Sequence, residues 1–312
     1  MSTTPREGNL QAPTRHPLDW QNPEFWDATA LENELERVFD LCHGCRRCVS
    51  LCQSFPILFD LVDESPTMEV DGVNKADFKN VVEQCYLCDL CYQTKCPYTP
   101  PHEWNIDFPH LMLRAKAVAF KQNGTKVSNK ILSNTTAVGA MASLPGVNKM
   151  VNWGNQNKII RSVLESSMGV HRDAQVPAYH HPTAINRIKV DDSGDAAIST
   201  GTTTGKVAIF VTCYGNHNHP KMVEDLVTVY RHNGIAVKLI RQNQCCGMPK
   251  LELGDLDSVN EYKNRNIPEL IQHVKDGWDL VAPIPSCVLM FKQEIPLMYR
   301  DDFEVQQVKK AF

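Results

Sequence analysis

The sequence lacks the short motifs that mark many enzyme active sites. No G-x-G-x-x-G segment follows a predicted strand, so the usual signal for a dinucleotide cofactor is missing. No P-loop, G-x-S-x-G or H-E-x-x-H motif occurs in the 312 residues. We therefore expect no site in this chain for oxidising an organic substrate, and the sequence leaves open whether the chain is itself an enzyme.

Long apolar runs and blocks of like charge are also missing. The best candidate for a membrane span, residues 137–146, is well below the ~20 residues required and ends in Pro-Gly. The N-terminus has no apolar region typical of a secretory signal. A net charge of −4 gives no reason to expect nucleic-acid binding. We expect a cytoplasmic protein without a transmembrane segment, either soluble or peripheral on the inner face of the cytoplasmic membrane.

Cysteine, in contrast, is abundant, and eight of the twelve cysteines fall into two runs of similar spacing. The first run is Cys42, Cys45, Cys48 and Cys52, and the second is Cys85, Cys88, Cys91 and Cys96. Three cysteines at three-residue intervals can reach three irons of a cubane, and in two-cluster ferredoxins the fourth ligand comes from the other run. The spacing therefore predicts one [4Fe–4S] cluster on Cys42, Cys45, Cys48 and Cys96, and a second on Cys85, Cys88, Cys91 and Cys52.

Other uses of these cysteines agree less well with the spacing. Structural zinc prefers two separated cysteine pairs, a disulfide framework needs an oxidising compartment, and a c-type haem needs C-x-x-C-H. A zinc-stabilised interaction module remains an alternative from a different class. Pro97 directly follows the second run, as in ferredoxins, whereas Gln53 follows the first.

The first half of the chain is predicted to be helical. Residues 1–28 are rich in proline and indicate an extended arm. Apolar residues at helical spacing predict helices over 30–40 and 76–84, each leading into a cysteine run, and a third over 108–122. Residues 29–124 thus form a helical domain of the ferredoxin type with two clusters. Residues 125–205 are predicted to be a helical connector, with short helices around 126–142 and 155–168, and a linker.

The pattern from residue 206 to 312 alternates between strands and helices. Strands are predicted at 207–211, 235–240 and 280–284, with helices at 220–232, at 256–274 with a kink at Pro268, and from Cys287 onward. Such a series indicates a short parallel sheet. The fold class is therefore α+β and multi-domain: a helical domain with two clusters, followed by a cysteine-rich α/β domain.

The four remaining cysteines, Cys213, Cys245, Cys246 and Cys287, each follow one of these strands. In an open α/β sheet the carboxyl ends of the strands form the ligand-binding edge. We therefore expect all four thiols to lie together at that edge as a third thiol site.

Three segments around these cysteines are similar to the CCG module, namely TCYGNHNHP (212–220), NQCCGMP (243–249) and PSCVLM (285–290). The chain resembles the CCG-domain iron–sulfur oxidoreductases, which include heterodisulfide reductase, glycolate oxidase iron–sulfur subunits and the C subunit of anaerobic glycerol-3-phosphate dehydrogenase. The arrangement of both domains is most similar to that C subunit. The resemblance covers roughly residues 31–122 and 206–312.

The resemblance implies an electron-transfer subunit with two [4Fe–4S] clusters. It implies a flavoprotein dehydrogenase partner, of glycerol-3-phosphate or 2-hydroxy-acid type, and a quinone or thiol acceptor. The alternative is a disulfide-reducing enzyme of the heterodisulfide reductase type, with catalysis and a third iron–sulfur centre at the CCG thiols. Family modules with a noncubane cluster end in C-x-x-C, but Met290 stands in the last position here. The resemblance also implies a second CCG module, so we interpret the chain as shortened or a fragment.

Smaller features leave two interpretations open. Arg46, Arg47 and Lys95 lie within the cluster loops and would raise the reduction potentials if they approach the clusters, or would be solvated loop charges. His217 and His219 follow Cys213 and could reach the CCG thiols, although surface positions are the favoured interpretation.

Overall fold

The computed structural model describes residues 12–190, 203–241 and 244–312, with only the backbone of Lys95. The chain divides into two compact units. The first consists of the residues up to Gly124 together with Leu251–Leu256, and the second of Thr125–Lys250 and Asp257–Phe312. Most of the predicted linker, residues 191–202, lies outside the described residues.

Helices make up the first unit. The Asp27 carboxylate caps the first helix by accepting the backbone N–H groups of Thr29 and Ala30 at 2.9 Å. This helix runs past its predicted end at Asp40 and includes Cys45. The helices are α1 (Ala28–Cys45), α2 (Ser54–Asp63), α3 (Phe78–Glu83) and α4 (Phe108–Asn123), with 3-10 turns at Pro23–Trp26, Val70–Gly72 and Lys75–Asp77 and a π-helical turn at Cys91–Lys95.

One aromatic ring from each of these helices contributes to the core of the first unit. Phe39 of α1 meets Phe78 of α3 edge to face, with ring centroids 5.0 Å apart. The ring centroids of Phe55 in α2 and Phe108 in α4 are 4.7 Å apart. All four rings are buried, and each such pair stabilises the fold by about 0.5–1.5 kcal/mol beyond burial. This core fixes the helix ends from which both cysteine runs extend.

The N-terminal arm packs against the same unit. Leu18, Trp20 and Phe25 are buried. The Arg114 guanidinium of α4 donates from Nε to the carbonyl of Phe25 at 2.7 Å. The described part of the arm is therefore bound to the helices.

The second unit begins with a group of short helices and continues into the α/β region. Its helices are α5 (Val127–Leu132), α6 (Thr135–Ala142), α7 (Val147–Gln156), α8 (Lys158–Met168), α9 (Ala184–Arg187), α10 (Cys213–His217), α11 (Pro220–His232), α12 (Met248–Leu253, whose last residues belong to the first unit), α13 (Leu256–Lys275), α14 (Pro285–Leu289), α15 (Ile295–Met298) and α16 (Phe303–Ala311), with a π-helical segment at Met290–Glu294.

Three parallel strands form the sheet of the second unit. They are β1 (Lys206–Phe210), β2 (Ala236–Ile240) and β3 (Asp279–Val281), in the order β2-β1-β3. The central β1 pairs with both neighbours, and most of its side chains are buried because helices cover both faces of such a sheet. The helical first unit and this short parallel sheet confirm the predicted fold class.

The third strand is shorter than predicted. It ends at Val281 instead of residue 284, because the chain turns there before the helix that begins at Pro285. Helix α13 agrees with the predicted range and contains Pro268. Within the described part of the chain, no helix combines the length and apolarity needed to cross a membrane.

Candidate metal centres

The fourth cysteine of the second run lies with the first three cysteines of the first run. Cys42, Cys45, Cys48 and Cys96 line one cavity in the first unit. Phe55, Phe59 and Ile106 contribute apolar walls to the same cavity. The structure thus brings together the four thiols that the sequence assigns to one cluster.

The reciprocal arrangement is found at a second cavity. Cys52 of the first run lies with Cys85, Cys88 and Cys91 around this cavity. Leu51, Phe108 and Pro109 line the rest of its apolar wall. Each run therefore contributes three thiols to one cavity and its last thiol to the other.

Unusual backbone conformations curl the two cysteine loops around these cavities. Cys42 and Cys45 lie in the last turn of α1, which Arg46 ends with a left-handed conformation (φ 51°). In the second loop Leu87 and Asp89 have φ values of 52° and 61°. Non-glycine residues rarely adopt this region, and strained residues of this kind cluster at functional sites.

Burial disfavours the thiolate form of Cys42, Cys85, Cys91 and Cys96. It raises the pKa of Cys42 well above its usual value, and neighbouring Cys96, Cys48 and Cys45 raise it further. Burial raises the pKa of Cys85 to about 11. A coordinated metal removes thiol protons outright because its positive charge stabilises the thiolate. Sets of four thiols in apolar cavities therefore fit a cubane cluster, in which each iron binds one thiolate.

Backbone N–H groups point at two of the sulfurs. The amide of Leu87 bonds to Cys85, and the amides of Tyr98 and Thr99 bond to Cys96. Each of these bonds lowers the pKa of its thiol and partly opposes the effect of burial. Hydrogen bonds to sulfur are among the means by which proteins set cluster potentials.

The CCG cysteines form a contiguous group in the second unit. Cys213 is within hydrogen-bonding reach of Cys245, Cys245 of Cys246, and Cys246 of Cys287. Each follows the carboxyl end of a strand, and Cys245, Cys246 and Cys287 are buried. The structure thus brings the four thiols together at the edge of the sheet where the topology predicts them.

No three His, Cys, Asp or Glu side chains among residues 12–190, 203–241 and 244–312 form a group that could hold one metal ion. A cubane has a different requirement, since its four irons each take a separate thiolate. The two cavities of the first unit meet this requirement, because four cysteine thiols line each of them.

Comparison with known families and proteins adds independent information. Residues 41–99 match the family described as 4Fe-4S dicluster domain, and residues 207–292 match the family described as cysteine-rich domain, CCG. The chain thus combines one segment similar to each of these two families. Both matched segments contain the cysteines described above, and together they confirm the predicted resemblance to CCG-domain iron–sulfur oxidoreductases.

Three curated proteins are similar to parts of this chain. The C subunit of anaerobic glycerol-3-phosphate dehydrogenase from Escherichia coli K12 is 25% identical over 62% of this chain and 47% of the relative. Citrate utilization protein B of Escherichia coli is 30% identical over 30% of this chain and 22% of the relative. Lactate utilization protein A of Bacillus cytotoxicus is 29% identical over 31% of this chain and 38% of the relative.

The matched region spans about half the length of the first of these relatives. No solved structure gives a significant match.

A buried arginine that no sequence pattern indicates lies next to the second cysteine loop. Arg15 donates to Asp107 from Nε at 2.8 Å and from Nη2 at 3.0 Å. Nη2 also donates to Asp89 at 2.9 Å, and Nη1 pairs with the other Asp89 oxygen. The guanidinium carbon lies 4.6 Å from the centre of the Tyr92 ring. Arg15 lies in a proline-rich segment without periodicity, so only the two aspartates beside the second cysteine run could have suggested such a partner.

Two polar side chains that no sequence motif indicates form hydrogen bonds with the backbone at the CCG cysteines. The Thr136 hydroxyl of α6 accepts the backbone N–H of Cys245 at 3.0 Å. Asn266 of α13 donates to the Cys245 carbonyl and accepts the Gln244 N–H, both at 3.0 Å. The Thr135 hydroxyl oxygen is buried and has no nitrogen or oxygen partner within hydrogen-bonding distance. The hydroxyl is close enough to the Cys213 thiol to lower the pKa of Cys213. Helix α6 belongs to the predicted connector, and its pattern carried no signal of this role.

Two residues next to the CCG thiols have positive φ. Thr212 is fully buried at φ 66°, and its hydroxyl accepts the Gly215 N–H at 2.9 Å as it caps α10. Gly247 has φ 101° directly after Cys246. The conformation is costly for a β-branched residue and readily adopted by glycine.

The cationic residues of the cluster loops have different environments. Arg46 donates from Nη1 to Asp63 at 2.8 Å and lies 5.1 Å from the Phe59 ring centre. Its charge is therefore opposed by a carboxylate. Arg47 lines the first cavity, and the side chain of Lys95 lies outside the described part of the structure.

The surface interpretation of His217 is wrong. Its ring is buried, and Nδ1 lies 3.1 Å from the Ser143 hydroxyl. Burial lowers the pKa of His217, so the neutral ring is favoured. His219 is exposed and caps α11, where Nδ1 accepts the Met222 N–H at 3.1 Å.

Proposed function

We propose that this chain is an iron–sulfur electron-transfer subunit of an oxidoreductase, with two [4Fe–4S] clusters. Cys42, Cys45, Cys48 and Cys96 would hold the first, and Cys85, Cys88, Cys91 and Cys52 the second. The observation that supports this most strongly is the exchange of the last cysteine of each run between the two cavities. Local helix and turn geometry alone could bring three thiols of one run together. The exchange of the fourth thiol between the two runs depends on how the two loops pack against each other in the fold.

The residues of the chain prepare the two sites for one-electron chemistry, which the bound clusters would supply. Phe55, Phe59 and Phe108 give the cavities apolar walls. Backbone N–H groups stabilise negative charge on the sulfurs of Cys85 and Cys96. The Cys48 thiol of the first set is close enough to Cys91 of the second to raise its pKa, so the two centres would be neighbours.

The electron donor is proposed to be a flavoprotein dehydrogenase subunit of glycerol-3-phosphate or 2-hydroxy-acid type. The support is the similarity to a subunit named for glycerol-3-phosphate dehydrogenase and to a protein named for lactate utilization. The acceptor is proposed to be a quinone or a thiol compound, reached by peripheral association with the inner face of the cytoplasmic membrane. Purification of the native complex with its partner subunits, followed by flavin analysis, tests the donor.

Metal analysis after anaerobic purification tests the cofactor proposal. We expect a brown protein with about eight irons and about eight acid-labile sulfides per chain, as two cubanes require. A colourless protein that contains zinc as its main metal and no acid-labile sulfide would contradict the proposal. This result would support the zinc-stabilised alternative.

A second candidate is a disulfide-reducing enzyme of the heterodisulfide reductase type. The contiguous contact of Cys213, Cys245, Cys246 and Cys287 favours it, since it requires a reactive centre at the CCG thiols. About twelve irons per chain, falling to about eight in Cys245→Ala, would support this candidate. About eight irons in both proteins would support the carrier.

A further inference from the structure

Arg15 joins the N-terminal arm to the second cysteine loop and to the start of α4 through two carboxylates. Asp89 lies between Cys88 and Cys91 and lines the second cavity. Asp107 is close enough to Cys96, at the first cavity, to raise the pKa of that thiol. The Arg15 side chain is 6% exposed and that of Asp89 2% exposed. One cation therefore stands between carboxylates that belong to both sites.

The geometry of this contact is specific to arginine. A planar guanidinium can meet two carboxylates with parallel hydrogen bonds, which the ammonium of lysine cannot do. A buried carboxylate that loses its partner bears the full cost of desolvation. His110 also faces Asp107, with Nδ1 3.3 Å from Oδ2, and Tyr92 and Cys96 are close enough for Asp107 to raise their pKa values. Arg15 contacts both carboxylate oxygens of Asp89.

We propose that Arg15 is a positioning residue that sets the net charge beside the cysteine cavities and thereby keeps the reduction potentials of the bound clusters high. The inference rests on the proposed function. Reduction adds one negative charge to a cluster, and nearby negative charge makes that addition less favourable. Arg15 leaves the group of one cation and two carboxylates with a single net negative charge.

A set of four proteins isolates this charge. Arg15→Gln leaves two net negative charges in the group, whereas Asp89→Asn leaves none. The double variant Arg15→Gln/Asp89→Asn returns the group to one, as in wild type. Lys75→Gln is the matched control, because Lys75 also faces two carboxylates, Glu32 at 3.0 Å and Glu36 at 2.9 Å, but is 44% exposed.

The measurement is the midpoint potential of each cluster in the full-length protein, by redox titration followed by EPR. We expect Arg15→Gln to lower the equilibrium constant for reduction roughly tenfold, which is about 59 mV for one electron. Asp89→Asn should raise the midpoint potential, and the double variant should have the wild-type potential. Lys75→Gln should shift the midpoint potential much less than Arg15→Gln does. The larger shift should fall on the cluster held by the second cavity.

The proposal is overturned if Arg15→Gln shifts the potentials no more than Lys75→Gln, or if the double variant keeps the potentials of Arg15→Gln. Should Arg15→Gln lose iron on purification, recovery of iron in the double variant supports the proposal and failure to recover contradicts it. Hydrogen exchange provides a readout without clusters. We expect faster amide exchange at residues 12–22 and 88–96 in Arg15→Gln, but not in Lys75→Gln. This result does not depend on the proposed function, because it is expected even if the wild-type chain holds no iron. Equal exchange in the two variants would contradict the contact between Arg15 and Asp89.

Discussion

Replacing Gly139 by alanine tests how closely α6 packs on α10 in the second unit. A Cβ at Gly139 would lie 2.6 Å from Cδ2 and 2.9 Å from Cγ of His217. The His217 ring is buried and bonded to Ser143, so it has little room to move. Such overpacking costs about 1–3 kcal/mol, and displacement of the ring would forfeit a hydrogen bond of about 1 kcal/mol.

Helix propensity acts in the opposite direction. Alanine in a helix interior is favoured over glycine by roughly 1 kcal/mol. We therefore expect a net loss of about 2 kcal/mol in Gly139→Ala. Gly154→Ala in α7 is the matched control, because its Cβ would make ordinary contacts at 3.7 Å with Ile160. That variant should be stabilised by about 0.5–1 kcal/mol.

Thermal unfolding under anaerobic conditions measures both variants. For a unit of this size, 1 kcal/mol corresponds to about 2–4 °C, so Gly139→Ala should unfold roughly 5 °C below wild type and Gly154→Ala slightly above it. The order of the two variants is the decisive result. If Gly139→Ala is as stable as Gly154→Ala, the close packing of α6 on His217, and with it the placement of Thr136 over Cys245, is refuted.

Two further substitutions test the packing around the sites. Gly254→Ala should cost about 3 kcal/mol or more in urea unfolding, because the residue has φ 78° and a Cβ there would overlap the Lys116 carbonyl; an unchanged midpoint would contradict this close approach. Asn266→Ala should cost about 2–4 kcal/mol, because it leaves the Cys245 carbonyl and the Gln244 N–H without their buried partner. The control Asn264→Ala, at an exposed position of the same helix, should cost no stability, and equal effects of the two substitutions would contradict the contribution of these buried hydrogen bonds.

The sequence predicts the parts of the structure that depend on local pattern. Strand β1 and helix α4 agree closely with prediction, because apolar periodicity and a glycine after the helix mark them clearly. Proximity of Cys213, Cys245, Cys246 and Cys287 could be predicted for a topological reason. Parallel strands end at the same edge, so residues that follow them must gather there.

Contacts between distant segments could not be predicted in this way. Arg15 and Asp107 are far apart in the sequence, and neither belongs to a repeating pattern that shows it to be buried. Thr136 lies in a short helix whose composition gives no sign that it faces Cys245. The end of α1 at Cys45, past the predicted Asp40, depends on the left-handed conformation of Arg46, which sequence propensity does not indicate.

The most direct test of the account is a comparison of EPR spectra from four single cysteine variants, each reduced with dithionite. Cys96→Ala and Cys42→Ala should lose the same cluster and leave the same spectrum, whereas Cys52→Ala and Cys88→Ala should share a different one. If Cys96→Ala instead matches Cys88→Ala, each run holds its own cluster, and the exchange of cysteines between the two cavities has no part in metal binding.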